Sequence, residues 1–157
     1  MRGPLKKVVW EEARRCLAMT LPEFRELTGD EIPTVCRLYG WKVGGRLMLY
    51  VLFQVNRHED SFTLEIGWSR EGRWPALLFM VNPPARQELA TVPEGRFRLG
   101  NLWTGDDFWW QVDETRGVAS QMDDAIRHLA QEGMNYFRLV AAASGVLLQE
   151  AARDGSV

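Results

Sequence analysis

Two stretches of strict alternation dominate the chain. Between residues 46 and 57 the positions Leu47, Leu49, Val51, Phe53 and Val55 are all apolar, while the other parity mixes Met48, Tyr50 and Leu52 with Arg46, Gln54 and Asn56. Between residues 61 and 69 the apolar set is Phe62, Leu64, Ile66 and Trp68, interleaved with Thr63, Glu65, Gly67 and Ser69. Such a period of two predicts the paired strands of a β-hairpin, each with one face in a core. A four-residue loop, His58-Glu59-Asp60-Ser61, opposes Val55 to Leu64, Phe53 to Ile66 and Val51 to Trp68. A five-residue loop would set Gln54 against Leu64, so the first register is expected.

Upstream, Val43-Gly44-Gly45-Arg46 carries the glycines that a tight hairpin turn needs for positive φ, which makes residues 36–43 the preceding strand. Counting back from that turn places Cys36 beside Phe53 and Leu38 beside Val51 on the core face. It places Tyr39 beside Tyr50 and Trp41 beside Met48 on the other. The second face then gathers Tyr39, Trp41, Met48, Tyr50, Leu52, Gln54 and Glu65, which is aromatic for a solvent face.

Helical periodicity flanks this sheet. Pro4 suits a first turn, and Leu5, Val8, Val9, Ala13, Cys16 and Leu17 recur at a 3.6 period, predicting a helix over 5–19. Thr20-Leu21-Pro22-Glu23 has the form of a capping box and predicts a short second helix over 21–28. Both are expected on the core face of the sheet. A further strand is expected over 74–81, ahead of Pro83 and Pro84. Residues 96–103 and 108–112 bracket Thr104-Gly105-Asp106-Asp107 as a second hairpin, with Phe97, Leu99, Phe108, Trp110 and Val112 inward. Ser120 opens a third helix that Gly133 closes, and Asn135 caps a fourth with a stripe of Phe137, Val140, Ala141, Leu147 and Leu148. The predicted fold is α+β: a central antiparallel sheet of about five to six strands, N-terminal helices on one face, and a C-terminal helix pair packed on the sheet.

Composition adds little to this picture and removes several functions. At 157 residues, 46% hydrophobic and 25% charged, the chain fits a single domain, 1–157. The uncharged run 139–149 is about half of the roughly 20 residues a membrane span needs, and the Met1-Arg2-Gly3-Pro4 start lacks a secretory apolar stretch, so no membrane and a cytoplasmic location are expected. A net charge of −2, with its arginines scattered, offers no basic stripe for phosphate neutralisation and argues against nucleic acid. Cys16 and Cys36 fall on buried positions and read as reduced core thiols.

Candidate chemistry is thin. His58 and His128 are the only histidines, too few for a converging ligand set, so neither a metal nor a cofactor is expected. His58-Glu59-Asp60 reads as a turn, and Asp106-Asp107 as an exposed hairpin tip whose carboxylates would titrate as in water. His128 falls on a polar helix face. Ser144 lacks the frame of a nucleophile elbow, and Gly44-Gly45 and Gly100 form no nucleotide-binding loop. No catalytic residue is named, and the chain reads as a non-enzyme. The unusual feature is its tryptophans: seven in all, of which Trp41 and Trp109 have the parity of the mixed face. Aromatics with arginine are what binding surfaces concentrate. The candidate binding residues are therefore Arg37, Tyr39, Trp41, Tyr50, Gln54 and Glu65, on a face either open to a partner or covered by the C-terminal helices.

The succession Leu52-Phe53-Gln54, then Phe62-Thr63-Leu64-Glu65-Ile66-Gly67, then Arg98-Leu99-Gly100 followed by Trp109-Trp110 and a C-terminal helix pair, resembles a bacterial domain-of-unknown-function family (number 4304) over about residues 8 to 140. The resemblance implies an α+β fold and, through the habit of small bacterial domains of this kind of sitting beside toxin genes, an immunity function. Two expectations follow from all of this. One is a non-enzymatic interaction protein, a binder of a toxin-like protein partner. The other is a small-ligand binder or enzyme with a pocket between the sheet and the C-terminal helices.

Overall fold

The computed structural model describes residues 1–72, 74, 79–113 and 116–148. Helix α1 (Gly3–Thr20) leads into strands β1 (Arg25–Leu27), β2 (Cys36–Gly44), β3 (Leu47–Val55), β4 (Ser61–Ser69), β5 (Glu94–Arg98) and β6 (Trp110–Gln111), and the chain ends in α2 (Val118–His128) and α3 (Met134–Ala143). The fold is α+β. The strands form one antiparallel sheet in the order β1-β2-β3-β4-β5, with β6 also paired to β4.

The alternation in β3 and β4 sorts their side chains as expected. Phe53, Leu49, Val51, Phe62, Leu64, Ile66 and Trp68 are completely buried, against α1 and the C-terminal helices. The partners differ, however. Val55 opposes Phe62, Phe53 opposes Leu64, Val51 opposes Ile66 and Leu49 opposes Trp68. The turn is centred one residue earlier than expected, at 57–60: the Asn56 side chain accepts hydrogen bonds from the amides of His58 and Glu59, and the Asn56 amide donates to the Ser61 carbonyl and closes the ladder there. The pairing thus moves by two residues, which leaves every face unchanged.

Strand β2 is the larger correction. Gly44 pairs with Leu47 across a turn in which Gly45 has φ 56°, and the next pair is Lys42 with Met48, so Val43 is bulged out. That one residue inverts the strand relative to the expected register. Tyr39 and Trp41 lie opposite Val51 and Leu49 on the helix-covered face, while Cys36 and Leu38 lie opposite Gln54 and Leu52 on the other.

The predicted helix over 21–28 is instead strand β1. Phe24 is buried and packs on Trp41 and Phe137. The next three residues then pair with β2 from Leu38 to Gly40 and satisfy its outer edge, which a two-turn helix would leave unpaired. The expected strand over 74–81 falls largely outside the described residues; Phe79 forms an isolated parallel bridge to Arg96. The predicted second hairpin does not form. A 3-10 turn at Leu99–Leu102 carries the chain away from β5, so β5 and β6 share one edge of β4 end to end rather than pairing with each other. The inward assignments of Phe97, Leu99, Trp110 and Val112 stand.

The C-terminal helices are one continuous run. Gly133 keeps helical dihedrals, φ −64° and ψ −48°, and a π-helical turn at Leu129–Gly133 joins α2 to α3. Asn135 lies within α3, accepting a hydrogen bond from Arg138 rather than capping. Trp10 and Leu17 of α1, Met122 and Leu129 of the second run, and Phe137 of α3 all join the core on the same side of the sheet. Among the described residues no helix packs on the opposite face. That face carries a smaller apolar cluster of Cys36, Leu38, Tyr50 and Leu52, edged by Leu27, Ile32, Val35, Met48 and Trp74.

Candidate binding cleft on the open sheet face

Strand β4 is buried along its whole length, including Glu65. Its pairing with β5 sets Glu65 opposite Arg98 and Gly67 opposite Arg96, so the two arginines rise on the same face as the carboxylate. Gly67 permits this. A Cβ there would stand 2.9 Å from the Gly95 carbonyl oxygen and 3.0 Å from Arg96 Cβ, and only hydrogen lets β5 approach so closely.

The resulting ion cluster is compact. Arg98 Nε lies 3.1 Å from Glu65 Oε2 and Arg96 Nε 3.6 Å from Glu65 Oε1, with the Glu65 side chain only 5% exposed. At the rim, Arg98 Nη1 lies 3.8 Å from the half-exposed Asp107. Burial pushes the Glu65 carboxyl above its ordinary value, and the two guanidiniums offset only part of that. Four atoms of the cluster, Glu65 Oε1, Arg96 Nε, Arg98 Nε and Arg98 Nη1, are buried without a hydrogen-bond partner of good geometry.

Aromatic rings hold the arginines in place. Arg96 lies 5.3 Å from the Trp74 ring and 5.9 Å from Phe79, and Arg98 lies 5.6 Å from Phe79 and 5.1 Å from Trp109. The side chains alternate Trp74, Arg96, Phe79, Arg98, Trp109, with a cation between each pair of rings. Guanidiniums stack well on aromatic faces, and side chains fixed in this way lose little further freedom when they bind.

Trp74, Phe79, Arg96 and Arg98 line a cleft of about 470 Å³, a volume in the range of ligand sites, together with Cys36, Leu52, Gln54 and Glu65 and with Ile32 and Pro33. The Cys36 thiol is pushed up to about 11, mainly by burial, so it is a neutral, unreactive part of the lining. A second groove of about 350 Å³ runs between α1 and α2, but its Arg15, Asp123 and Arg127 are surface side chains.

Of the six residues expected at a binding face, Gln54 and Glu65 line the cleft. Tyr50 is on the same side but buried, its ring 5.1 Å from and edge-on to Trp74. The β2 bulge sends the other three to the helix side. Tyr39 packs edge-on to Phe53, Trp41 is half-buried against Phe24, and Arg37 lies 4.7 Å over the Trp10 ring of α1. Of the residues expected on the mixed face, Trp41 is therefore on the covered side of the sheet, while Gln54 and Glu65 line the open cleft.

Sequence reasoning missed Arg96, Arg98, Trp74 and Phe79. Arg96-Phe97-Arg98-Leu99 does carry a signal, two cations at alternate positions of one strand, but their counter-ion is some thirty residues earlier in the chain. His128, expected on a polar helix face, is largely covered. It stacks flat on Trp103 at 3.9 Å, with Glu132 Oε1 3.1 Å from its Nδ1. Ser144 does pack a helix end, accepting a 2.7 Å hydrogen bond from Arg70. Among the described residues no three His, Cys, Asp or Glu side chains gather as a metal site, and no helix is long and apolar enough to cross a membrane. Comparisons of the chain with protein-family models, curated proteins and solved structures find no match.

Proposed function

We propose that this protein is a non-enzymatic binder that seats an acidic protein partner on the open face of its sheet. The observation that carries the reading is the rigid alternation of rings and guanidiniums over the buried Glu65, on the face that no described helix covers. Arginine and aromatic side chains are the anchors that protein interfaces concentrate. The cleft supplies apolar contact as well, since Phe79 lines it and is 40% exposed. The family resemblance extends the reading to a toxin-like partner held by occlusion. The alternative is a free small ligand, favoured by the cleft's volume of about 470 Å³ and placed on the open face rather than under the C-terminal helices.

The test is complex formation with the product of the neighbouring reading frame, followed by gel filtration of the co-expressed pair. Phe79→Asp, on the open face, should abolish a complex that Met19→Asp, at an exposed apolar position on α1, leaves intact. A complex that survives Phe79→Asp and is lost in Met19→Asp moves the interface to the helical side and refutes the proposal.

A further inference from the structure

We infer that the cleft beside Glu65 is a carboxylate site, taking a monoanionic carboxylate attached to an apolar body. The inference rests on the reading of this cleft as the binding site and names what it recognises. Three observations carry it. At the buried end of the cleft two guanidiniums, Arg96 and Arg98, meet the single carboxylate of Glu65, with Asp107 beyond them at the half-exposed rim, so that end carries one cation more than its buried anion and favours a single negative charge. Arg96 and Arg98 line the cleft and are already fixed by stacking and by Glu65, so they would take up an oxygen pair with little freedom left to lose. Arg98 Nη1 is buried without a hydrogen-bond partner, 3.8 Å from the nearest carboxylate oxygen of Asp107, too far to satisfy it.

The apolar body follows from the walls. Leu52, Ile32 and Trp74 give the cleft a hydrocarbon surface next to the charged end, which a bare inorganic anion would leave unused. A planar two-oxygen group also matches the guanidinium fork better than a tetrahedral dianion matches a site with one surplus charge. The carboxylate sits either on a free molecule or on an acidic side chain of the partner, and the chemistry of the site is the same for both.

The assay is an NMR titration of the full chain, following the Trp74 indole N–H. The probes are hexanoate, hexanamide, inorganic phosphate, and a blocked peptide with one glutamate flanked by leucines. Hexanoate or the peptide should bind at least about tenfold more tightly than hexanamide or phosphate, the loss expected when a charge-assisted pair is removed. Arg98→Gln should bring the carboxylate down to the level of the amide, while Arg2→Gln, on the exposed start of α1, should change nothing. If Arg98→Gln fails to fold, Arg98→Lys keeps the charge without the fork and should still weaken hexanoate. A tighter peptide assigns the carboxylate to a partner chain, and a tighter hexanoate to a free ligand; either supports the site. Equal binding of hexanoate and hexanamide, no binding of either carboxylate, or equal losses in Arg98→Gln and Arg2→Gln overturns it. The complex-formation test above reads independently whether the open face is the docking surface.

Discussion

Replacing Glu65 by glutamine tests the energy balance at the heart of the cleft. At its contacts of 3.1 and 3.6 Å, each arginine attracts the carboxylate by about 5 kcal/mol at an effective dielectric of about 20. Against this stands the cost of taking a carboxylate out of water, several kcal/mol for a side chain as buried as this one, together with partial desolvation of both guanidiniums. The terms nearly cancel, and the upward shift of the Glu65 carboxyl says that desolvation wins. The sign of the pH effect follows. A carboxyl whose value is higher in the folded than in the unfolded chain binds protons more tightly when folded, so it lends stability at low pH. That contribution is lost as the pH rises past the unfolded value and through the folded one. Each unit separating the two values amounts to about 1.4 kcal/mol. Urea denaturation of the wild type and Glu65→Gln in steps from about pH 4 to pH 8 should therefore show the wild type losing ground to the variant as the pH rises. The opposite trend, a wild type that gains on Glu65→Gln above about pH 5, would mean that the arginines outweigh burial and would refute the reasoning.

Phe53→Ala empties the centre of the core, where Phe53 is completely buried between Arg37 and Leu64 on its neighbouring strands, and should cost roughly 3–5 kcal/mol in urea melts; less than about 1 kcal/mol would contradict its central place. Trp41→Ala, on the covered side beside Phe24, should lower stability by about 2–4 kcal/mol yet leave partner binding intact, and a binding defect at unchanged stability would put Trp41 back at the interface. Gly67→Ala should push against the Gly95 carbonyl, cost about 1–3 kcal/mol, and weaken carboxylate binding by displacing Arg96; a variant as stable as the wild type would show that β5 has room to shift.

Local pattern determined a good part of this protein. The alternation along residues 47–55 and 61–69 identifies two strands and the buried face of each, because side chains of successive strand residues point to opposite sides whatever the strand pairs with. The 3.6 period identifies α1 and the C-terminal helical run for the same reason: neighbours three and four apart share a face. The buried faces survived a two-residue change in the β3–β4 register because an even slip preserves parity. Three features had no local signature. The bulge at Val43 inverts β2 by one residue and moves Arg37, Tyr39 and Trp41 to the helix side, and nothing in Val43-Gly44-Gly45 distinguishes a bulged hairpin from a regular one. Residues 25–27 became a strand because the edge of β2 needed partners, a requirement that exists only once the sheet is assembled. The cleft is the clearest case. Glu65, Trp74, Phe79, Arg96, Arg98 and Trp109 come from six separate points of the chain, and only the pairing of β5 with β4 turns two alternate arginines and a lone carboxylate into one site. Burial then sets the charge balance of that site, and burial is a property of the assembled sheet rather than of any residue within it.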